Sequence, residues 1–435
     1  MSTDTADALR ALTDPLLGPG SKGFPARHAP VRASRVGTLG WNVADGDLPL
    51  PLALIRRDAL AHNLGWMQRF AAERGLVLAP HGKTTMSPQL FTRQLEAGAW
   101  GMTVATATQA VVAAAAGAER ILVANQVLDT GDLRTLAALR TPKGQAPRVL
   151  SLLDSPAQLA AIESAWATLD DTATPFDVLL EVGVACGRTG CRSEDDALAL
   201  ARAARDSAAV RLVGVECYEG LTASGDDAID AARVGGFTQL LETVARVCAE
   251  ERLFETDEVL LSAGGSGVFD FVVQALQATL PRHTVRGVLR SGCYVTHDHG
   301  HYCRLVARVN ARIGCDGGLR GALEVWARVQ SCPEPGLAIL AVGKRDVSYD
   351  LGLPVPIGWC PGTQRLPQAA PEGWTISSLN DQHAYLRHAT DTPGPAVGDR
   401  VVLGISHPCT TFDKWRWMPV VDADYRVVDA VVTCF

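Results

Sequence analysis

The sequence predicts an α/β protein: a (β/α)8 TIM-type barrel followed by a C-terminal all-β domain. Three observations carry this. Eight short Val-, Leu- and Ile-rich runs alternate with Ala-, Leu- and Arg-rich stretches of helical character across residues 76–289. Runs apolar on both faces are the mark of parallel strands covered by helices, and eight such units close a barrel. After about residue 300 the alternation gives way to short β-branched segments separated by loops. An open doubly wound sheet is the runner-up, weakened by the lack of G-x-G-x-x-G in the first βα turn.

Taken in order, residues 1–50 are rich in Gly, Pro and short polar residues and form an arm with little core of its own, partly joining the β domain. Residues 51–300 make the barrel. Its apolar runs are 76–79, 101–105, 121–124, 149–153, 177–181, 212–217, 259–262 and 285–289. Helices are predicted between them at 88–97, 107–116, 133–140, 156–169, 194–204, 236–250 and 268–280. Residues 301–435 form the β domain, with strands at 302–313, 322–330, 337–343, 384–388, 399–404 and 426–433 and no long helix.

Composition narrows the function. With 435 residues and a net charge of -7, the chain does not suit general nucleic-acid binding. It contains no run of the ~20 apolar residues that a membrane span needs, and residues 1–15 carry acids without an apolar signal core. The 11 cysteines all follow residue 185, a distribution that suits reduced thiols in a cytoplasmic protein. Only five of the 40 basic residues are lysines: Lys22, Lys83, Lys143, Lys344 and Lys414.

In such a barrel the chemistry sits just after each strand. After the first run comes Pro80-His81-Gly82-Lys83-Thr84. A lysine there can form a Schiff base once its pKa is lowered, or it can cap a strand and face solvent. After the fifth run, Arg188 stands among small residues and suits an oxyanion; a solvated turn is the alternative. Cys186 and Cys191 in that segment are poor zinc candidates. Tyr218 follows the sixth run, as a ligand contact or a rim aromatic. After the seventh, Gly264-Gly265-Ser266-Gly267 precedes a predicted helix, the pattern of a phosphate cup, which Tyr294 after the eighth run is placed to close. His297, His299 and His301 would share one face of an extended segment and invite a metal or a solvated reading. In the β domain His407 and Cys409, two apart, can point the same way and hold one divalent ion; the alternative is a strand-end His beside a buried Cys. A Schiff-base lysine and a phosphate cup in one barrel together imply pyridoxal 5'-phosphate.

These segments, with Ala97-Gly98-Ala99, Arg290-Ser291-Gly292-Cys293-Tyr294 and His407-Pro408-Cys409 in the same order, resemble the D-serine dehydratase/D-threonine aldolase family. That family has the alanine-racemase-type fold (fold-type III) of pyridoxal phosphate enzymes. The resemblance covers about residues 50–435. It implies that Lys83 is the cofactor lysine, with His81 beside it. Gly264, Gly265, Ser266 and Tyr294 become phosphate ligands, Arg188 faces the phenolic oxygen, and Tyr218 lies near the ring. His407 and Cys409 become ligands of a divalent metal, zinc or manganese, at an active site on a homodimer interface.

The implied function is a lyase acting on a β-hydroxy-D-amino acid, with D-serine dehydratase-like release of keto acid and ammonia. Retro-aldol cleavage of the D-threonine aldolase type is the alternative and amino-acid racemisation a more distant one. A racemase needs a second base, for which Tyr349 and Tyr385 are candidates without a motif. A non-catalytic cofactor-binding protein of this fold would lack the β domain. The sequence departs from the family at Ala79, Thr85 and Gln382, and in the arm and the 360–374 region. Its His-x-Cys pair resembles the dehydratase branch more than the His-x-Asp aldolases.

Overall fold

The computed structural model describes residues 11–140, 146–169, 174–391 and 393–435. Strand β1 (Leu52–Arg56) is followed by helix α1 (Arg57–Ala72) and then by eight parallel strands. These are β2 (Val77–Leu78), β3 (Met102–Val104), β4 (Arg120–Gln126), β5 (Arg148–Leu153), β6 (Phe176–Val182), β7 (Val210–Cys217), β8 (Glu258–Ala263) and β9 (Thr284–Leu289). Each of the eight predicted runs becomes one of them. The sheet runs β2-β9-β8-β7-β6-β5-β4-β3. Its seam between β2 and β3 is drawn together by a parallel bridge from His81 to Thr103 and by Thr103 N–H donating to Pro80 O at 2.9 Å. The result is a nearly closed TIM-type barrel, as the alternation predicts.

Several of the intervening helices start where the sequence supplies an oxygen for the unpaired N–H groups of the first turn. Ser87 Oγ accepts from Leu90 N at the head of α2 (Pro88–Glu96), and Thr106 Oγ1 from Gln109 N at the head of α3 (Ala107–Ala115). Helices α4 (Thr130–Arg140) and α5 (Pro156–Trp166) follow. Ser193 caps α6 (Glu194–Asp206), and Asp226 caps α7 (Asp227–Glu250) through two N–H groups at 3.0 Å. Inside the barrel, Ala79, Leu122, Leu150, Leu152, Leu179, Val213, Leu260 and Val288 form a closed apolar layer. It plugs the lower half of the barrel, so polar side chains from the strand ends gather above it.

Two predicted elements differ. The stretch after the glycines, read as helix over 268–280, is a run of turns with only one helical turn, α8 (Val273–Leu276). Segment 302–313, read as a strand, is helix α9 (His301–Ile313). Its β-branched valines suggested a strand, yet the buried residues Leu305, Val306 and Val309 recur with helical period, and Gly314 ends the helix at φ 63°.

The C-terminal domain is built on a β-sheet, as predicted, and its own strands pair antiparallel. Its strands are β10 (Leu323–Glu334), β11 (Leu337–Leu340), β12 (Val355–Cys360), β13 (Thr375–Leu379), β14 (Ala384–Arg387), β15 (Arg400–Gly404), β16 (Trp417–Val421) and β17 (Val427–Val432). Helix α10 (Pro408–Phe412) interrupts them. Strand β1, placed by the sequence reading in the barrel, instead pairs with β10 and β16 and belongs to this sheet. The arm packs on the same domain, with Phe24, Val36 and Val43 in its core and Lys22 Nζ 2.6 Å from Asp346. Among the described residues no helix is long and apolar enough to cross a membrane.

Candidate active site

Lys83 stands in a tight 3-10 turn (Gly82–Thr84) that continues β2 over the barrel mouth. The turn is pinned from three sides. His81 N–H donates to Arg290 O at 3.0 Å, Lys83 N–H reaches His81 Nδ1 at 3.4 Å, and a Cβ on Gly82 would meet the Phe91 ring at 2.5 Å. Only glycine lets the backbone lie that close to Phe91. Lys83 keeps solvent contact, but burial of its stem, with Arg188 and Arg290 opposing Cys409 and Cys293, lowers its pKa. His81 is held well below its ordinary pKa, first by burial and then by Lys83, Arg290 and Arg188. It is therefore a neutral imidazole among the cationic groups of the mouth.

Beneath Lys83 lies a buried polar layer. Glu181 accepts from Thr189 Oγ1 at 2.6 Å and from Gln126. Arg290 bonds Glu216 and donates to Cys217 O at 2.8 Å. Burial raises Glu216 to about 8 against the pull of Arg290. Glu216 Oε1 and Arg290 Nε have no partner within the described protein, which marks this layer as the floor of a ligand site. Arg188 stacks over the Tyr218 ring with its Cζ 4.8 Å from the centroid, so these two side chains form one wall.

The expected phosphate ligands are arranged differently from the sequence reading. Gly264 N–H and Gly265 N–H donate to the carboxylate of Glu219, at 3.3 and 2.5 Å. The cup thus holds an anion, but a protein one, and its N–H groups are not free. A Cβ on Gly265 would lie 2.4 Å from Gly220 Cα, which fixes the two glycine backbones against each other. Ser266 Oγ accepts from Cys293 N–H at 3.4 Å. Tyr294 is buried and its hydroxyl accepts from Gln94 Nε2 at 3.2 Å. Helix α8 is too short and too late in sequence to lend a helix dipole to the cup.

The β domain delivers its pair to this mouth. Cys409 Sγ lies 3.5 Å from Thr84 Oγ1, the neighbour of Lys83, and 3.7 Å from Cys293 Sγ. His407 Nδ1 is 2.7 Å from Asp350 Oδ2, and Thr410 Oγ1 donates to the other Asp350 oxygen at 2.7 Å. Burial opposes a charge on His407, but Cys409 and Asp350 raise it to about 9. The Cys293 hydrogen bond, against burial and together with His407, draws the Cys409 thiol well below its usual range. This donor set suits a divalent ion: a thiolate, and an imidazole whose other nitrogen is oriented by a carboxylate. Among the described residues no three His, Cys, Asp or Glu side chains converge on one point as they stand.

The three histidines after β9 do not share a face. His297 sits at φ 49°, and His301 opens α9. Between them Asp298 accepts from the N–H groups of Gly300, Tyr302 and Cys303 at 2.9–3.0 Å. His299 is wedged between Gly321 and Gly404, where a Cβ would meet its ring at 2.3 and 2.4 Å. Asp350 and Tyr302, whose ring is 6.1 Å from that of His407, carry no motif that marks them in sequence, and Thr84 lies in the Lys83 motif without a sign of its contact with Cys409. Cys293 lies within Arg-Ser-Gly-Cys-Tyr, and its partner becomes visible only once the domains are docked.

Two family models match this chain. "Alanine racemase, N-terminal domain" covers residues 55–267 and "Putative serine dehydratase domain" covers 322–421. The chain belongs to the D-serine dehydratase/D-threonine aldolase family of alanine-racemase-type pyridoxal phosphate enzymes. It is 26% identical to a D-threonine aldolase of Arthrobacter sp. over 369 residues, 82% of this chain and 85% of the relative. It is also 26% identical to a D-threo-3-hydroxyaspartate dehydratase of Delftia sp. (strain HT23) over 400 residues, 87% and 96% of the two chains. The crystal structure of D-threonine aldolase from Filomicrobium marinum superposes with a TM-score of 0.75 at 23% identity, covering 91% of this chain and 97% of that one. That likeness establishes the fold.

Proposed function

We propose that this protein is a pyridoxal phosphate-dependent lyase acting on a β-hydroxy-D-amino acid, releasing a keto acid and ammonia in the manner of a D-serine dehydratase. The observation that carries the reading is the meeting of two chemistries at one mouth. Thr84, beside the cofactor lysine, touches Cys409, the thiol of the predicted metal pair, at 3.5 Å. A group acting at Cα and a group acting at the β-oxygen then serve one small substrate.

When bound, pyridoxal phosphate supplies an electron sink for the substrate's α-carbon. Lys83 would hold it, and its Nζ, whose pKa is lowered, is the base placed to take the α-proton. Neutral His81 lies beside Lys83 and adds no positive charge there. Arg188 and Tyr218 would form the wall beside the ring, and the Ser266 hydroxyl would be a polar group for the phosphate. His407 and Cys409 would hold a divalent zinc- or manganese-class ion, whose contribution is Lewis-acid polarisation of the β-hydroxyl. Asp350 keeps the His407 ring in place for that task.

Retro-aldol cleavage to glycine and an aldehyde is the second reading, favoured by the 26% identity to a D-threonine aldolase. Racemisation has less support. Tyr385 lies in β14, opposite Ile339 and Ser378 in the β-domain sheet, and Tyr349 is half-exposed between Lys344 and Lys414. We also propose a homodimer that closes over the mouth; exposed Leu221, near Tyr218, and Tyr349, next to Asp350, suit a covered surface. Light scattering of the holoenzyme tests that point.

The function is tested by incubating the protein with D-serine, D-threonine and D-threo-3-hydroxyaspartate and measuring ammonia, keto acid, aldehyde and the L-isomer separately. Ammonia with keto acid in equal amounts is the expected result. Aldehyde with glycine selects the aldol reading, and formation of the L-isomer alone overturns lyase chemistry.

A further inference from the structure

Cys293 has no part in the function proposed above. It is buried in the single 3-10 turn Cys293–Val295 that follows β9, and its thiol faces the β domain. There it meets Cys409, which is partly exposed and stands in the first turn of the five-residue α10. The two sulfurs are 3.7 Å apart, and Thr84 Oγ1 lies 3.8 Å from Cys293 Sγ and 3.5 Å from Cys409 Sγ. Gly292 allows the approach: a Cβ there would lie 2.4 Å from His81 O, so a larger residue would lift the loop off the Lys83 turn. All the cysteines are free, and among the described residues this is the only contact between two thiols. Cys191, Cys315, Cys332, Cys360 and Cys434 give their S–H to backbone carbonyls instead.

Bonded sulfurs stand about 2.05 Å apart, so closing this pair needs a shift of roughly 1.7 Å. Each thiol sits on one short turn rather than in a sheet ladder, where a side-chain rotation and a small backbone movement absorb that distance. We propose that Cys293 and Cys409 form an oxidative modification site, closed into a disulfide by a peroxide. The bond itself does not rest on the function proposed above. Cys409, the more accessible sulfur, attacks one oxygen of the peroxide. The O–O bond breaks, the thiol proton leaves with the other oxygen as water, and Cys409 carries a sulfenic acid. Cys293 then attacks that sulfur. The S–O bond breaks, and the Cys293 proton leaves with the hydroxyl as a second water. The two sulfurs give up two electrons in all, and the peroxide takes up both. The product ties the last barrel loop to the β domain beside Thr84 and occupies the thiol that the proposed metal pair requires. On that function, a peroxide turns the lyase off and a thiol reductant turns it on again.

Peptide mapping tests this without recourse to activity. The pyridoxal phosphate-loaded protein is cleared of metal with a chelator, so that no ion competes for Cys409. It is then treated with a small excess of hydrogen peroxide, alkylated and digested without reduction. Mass spectrometry should find the Cys293 and Cys409 peptides joined, lighter than their sum by two hydrogens, and separated again by dithiothreitol. The two cysteines are 116 positions apart, so the closed loop should also make the denatured chain run faster on a non-reducing gel. Cys293→Ser and Cys293→Ala should each abolish the joined peptide and the gel shift and leave Cys409 as a sulfenic acid that dimedone traps. Cys332→Ala, which removes an exposed thiol elsewhere in the β domain, should change neither. Far-UV circular dichroism identifies any variant that fails to fold, and two substitutions at Cys293 guard against that loss. Cys409 joined to any other cysteine, or trapped by dimedone in the wild type with Cys293 still alkylated, overturns the proposal. So does peroxide-treated wild type in which both thiols remain alkylated. A joined pair in a protein without lyase activity overturns the proposed function and leaves the modification site standing.

Discussion

Asp350 Oδ2 lies 2.7 Å from His407 Nδ1, so a loop carboxylate fixes the ring of the one histidine that reaches the barrel mouth from the β domain. Such an outer partner sets the tautomer of a ligating histidine and strengthens it as a donor. Asp350→Asn should weaken zinc binding by about 10- to 100-fold in a chelator competition while leaving pyridoxal phosphate content unchanged. Unchanged zinc affinity would show that His407 is oriented without Asp350.

Lys83 should carry the cofactor. The purified holoenzyme should absorb at long wavelength, and borohydride should fix the cofactor to one peptide containing Lys83. With only five lysines in the chain, the assignment by mass spectrometry is unambiguous. Label on Lys22, Lys143, Lys344 or Lys414 would overturn it.

These two predictions show what the sequence makes legible. Lys83 stands out as a candidate without a structure, because a rare lysine follows an apolar strand in a recognisable rhythm. His407 and Cys409 could be found because two side chains of one short segment are neighbours by construction. Asp350 could not, since 57 residues separate it from His407 and nothing in Tyr349-Asp350-Leu351 announces the contact. The phosphate cup was half legible: glycines after a strand do expose N–H groups, but Glu219, 45 residues earlier, takes them. Helix α9 was misread because Val306 and Val309 favour strands locally, and packing against the barrel prevailed.

Glu219 should be structural. It is buried, burial raises its pKa, and it accepts from Gly264 and Gly265. Glu219→Ala leaves two buried N–H groups unpaired, at about 1–3 kcal/mol each, and Glu219→Gln keeps an acceptor and loses less. Urea unfolding of cofactor-free protein measures both. Equal stability of Glu219→Ala and wild type would contradict the role.

Stability should fall on mild acidification. Burial lowers His297 and His299 to about 4 each, so the fold binds them neutral while the unfolded chain protonates them near 6.5. The unfolded state then holds more protons, and stability present above about pH 6.5 is lost as the pH falls towards 4. Each histidine accounts for on the order of 3 kcal/mol over that window. His299→Gln should show a shallower slope in urea unfolding between pH 7.5 and 5. A slope equal to that of the wild type would exclude His299 as a contributor.

The central claim is a division of labour: Lys83 acts on the α-proton, and His407 with Cys409 acts on the β-hydroxyl. A proton NMR time course of His407→Ala in deuterium oxide with D-threonine tests it most directly. The account predicts that the α-proton signal is lost to deuterium while keto acid, ammonia and aldehyde stay at background, whereas the wild type forms product. Product formation by His407→Ala at the wild-type rate would contradict it.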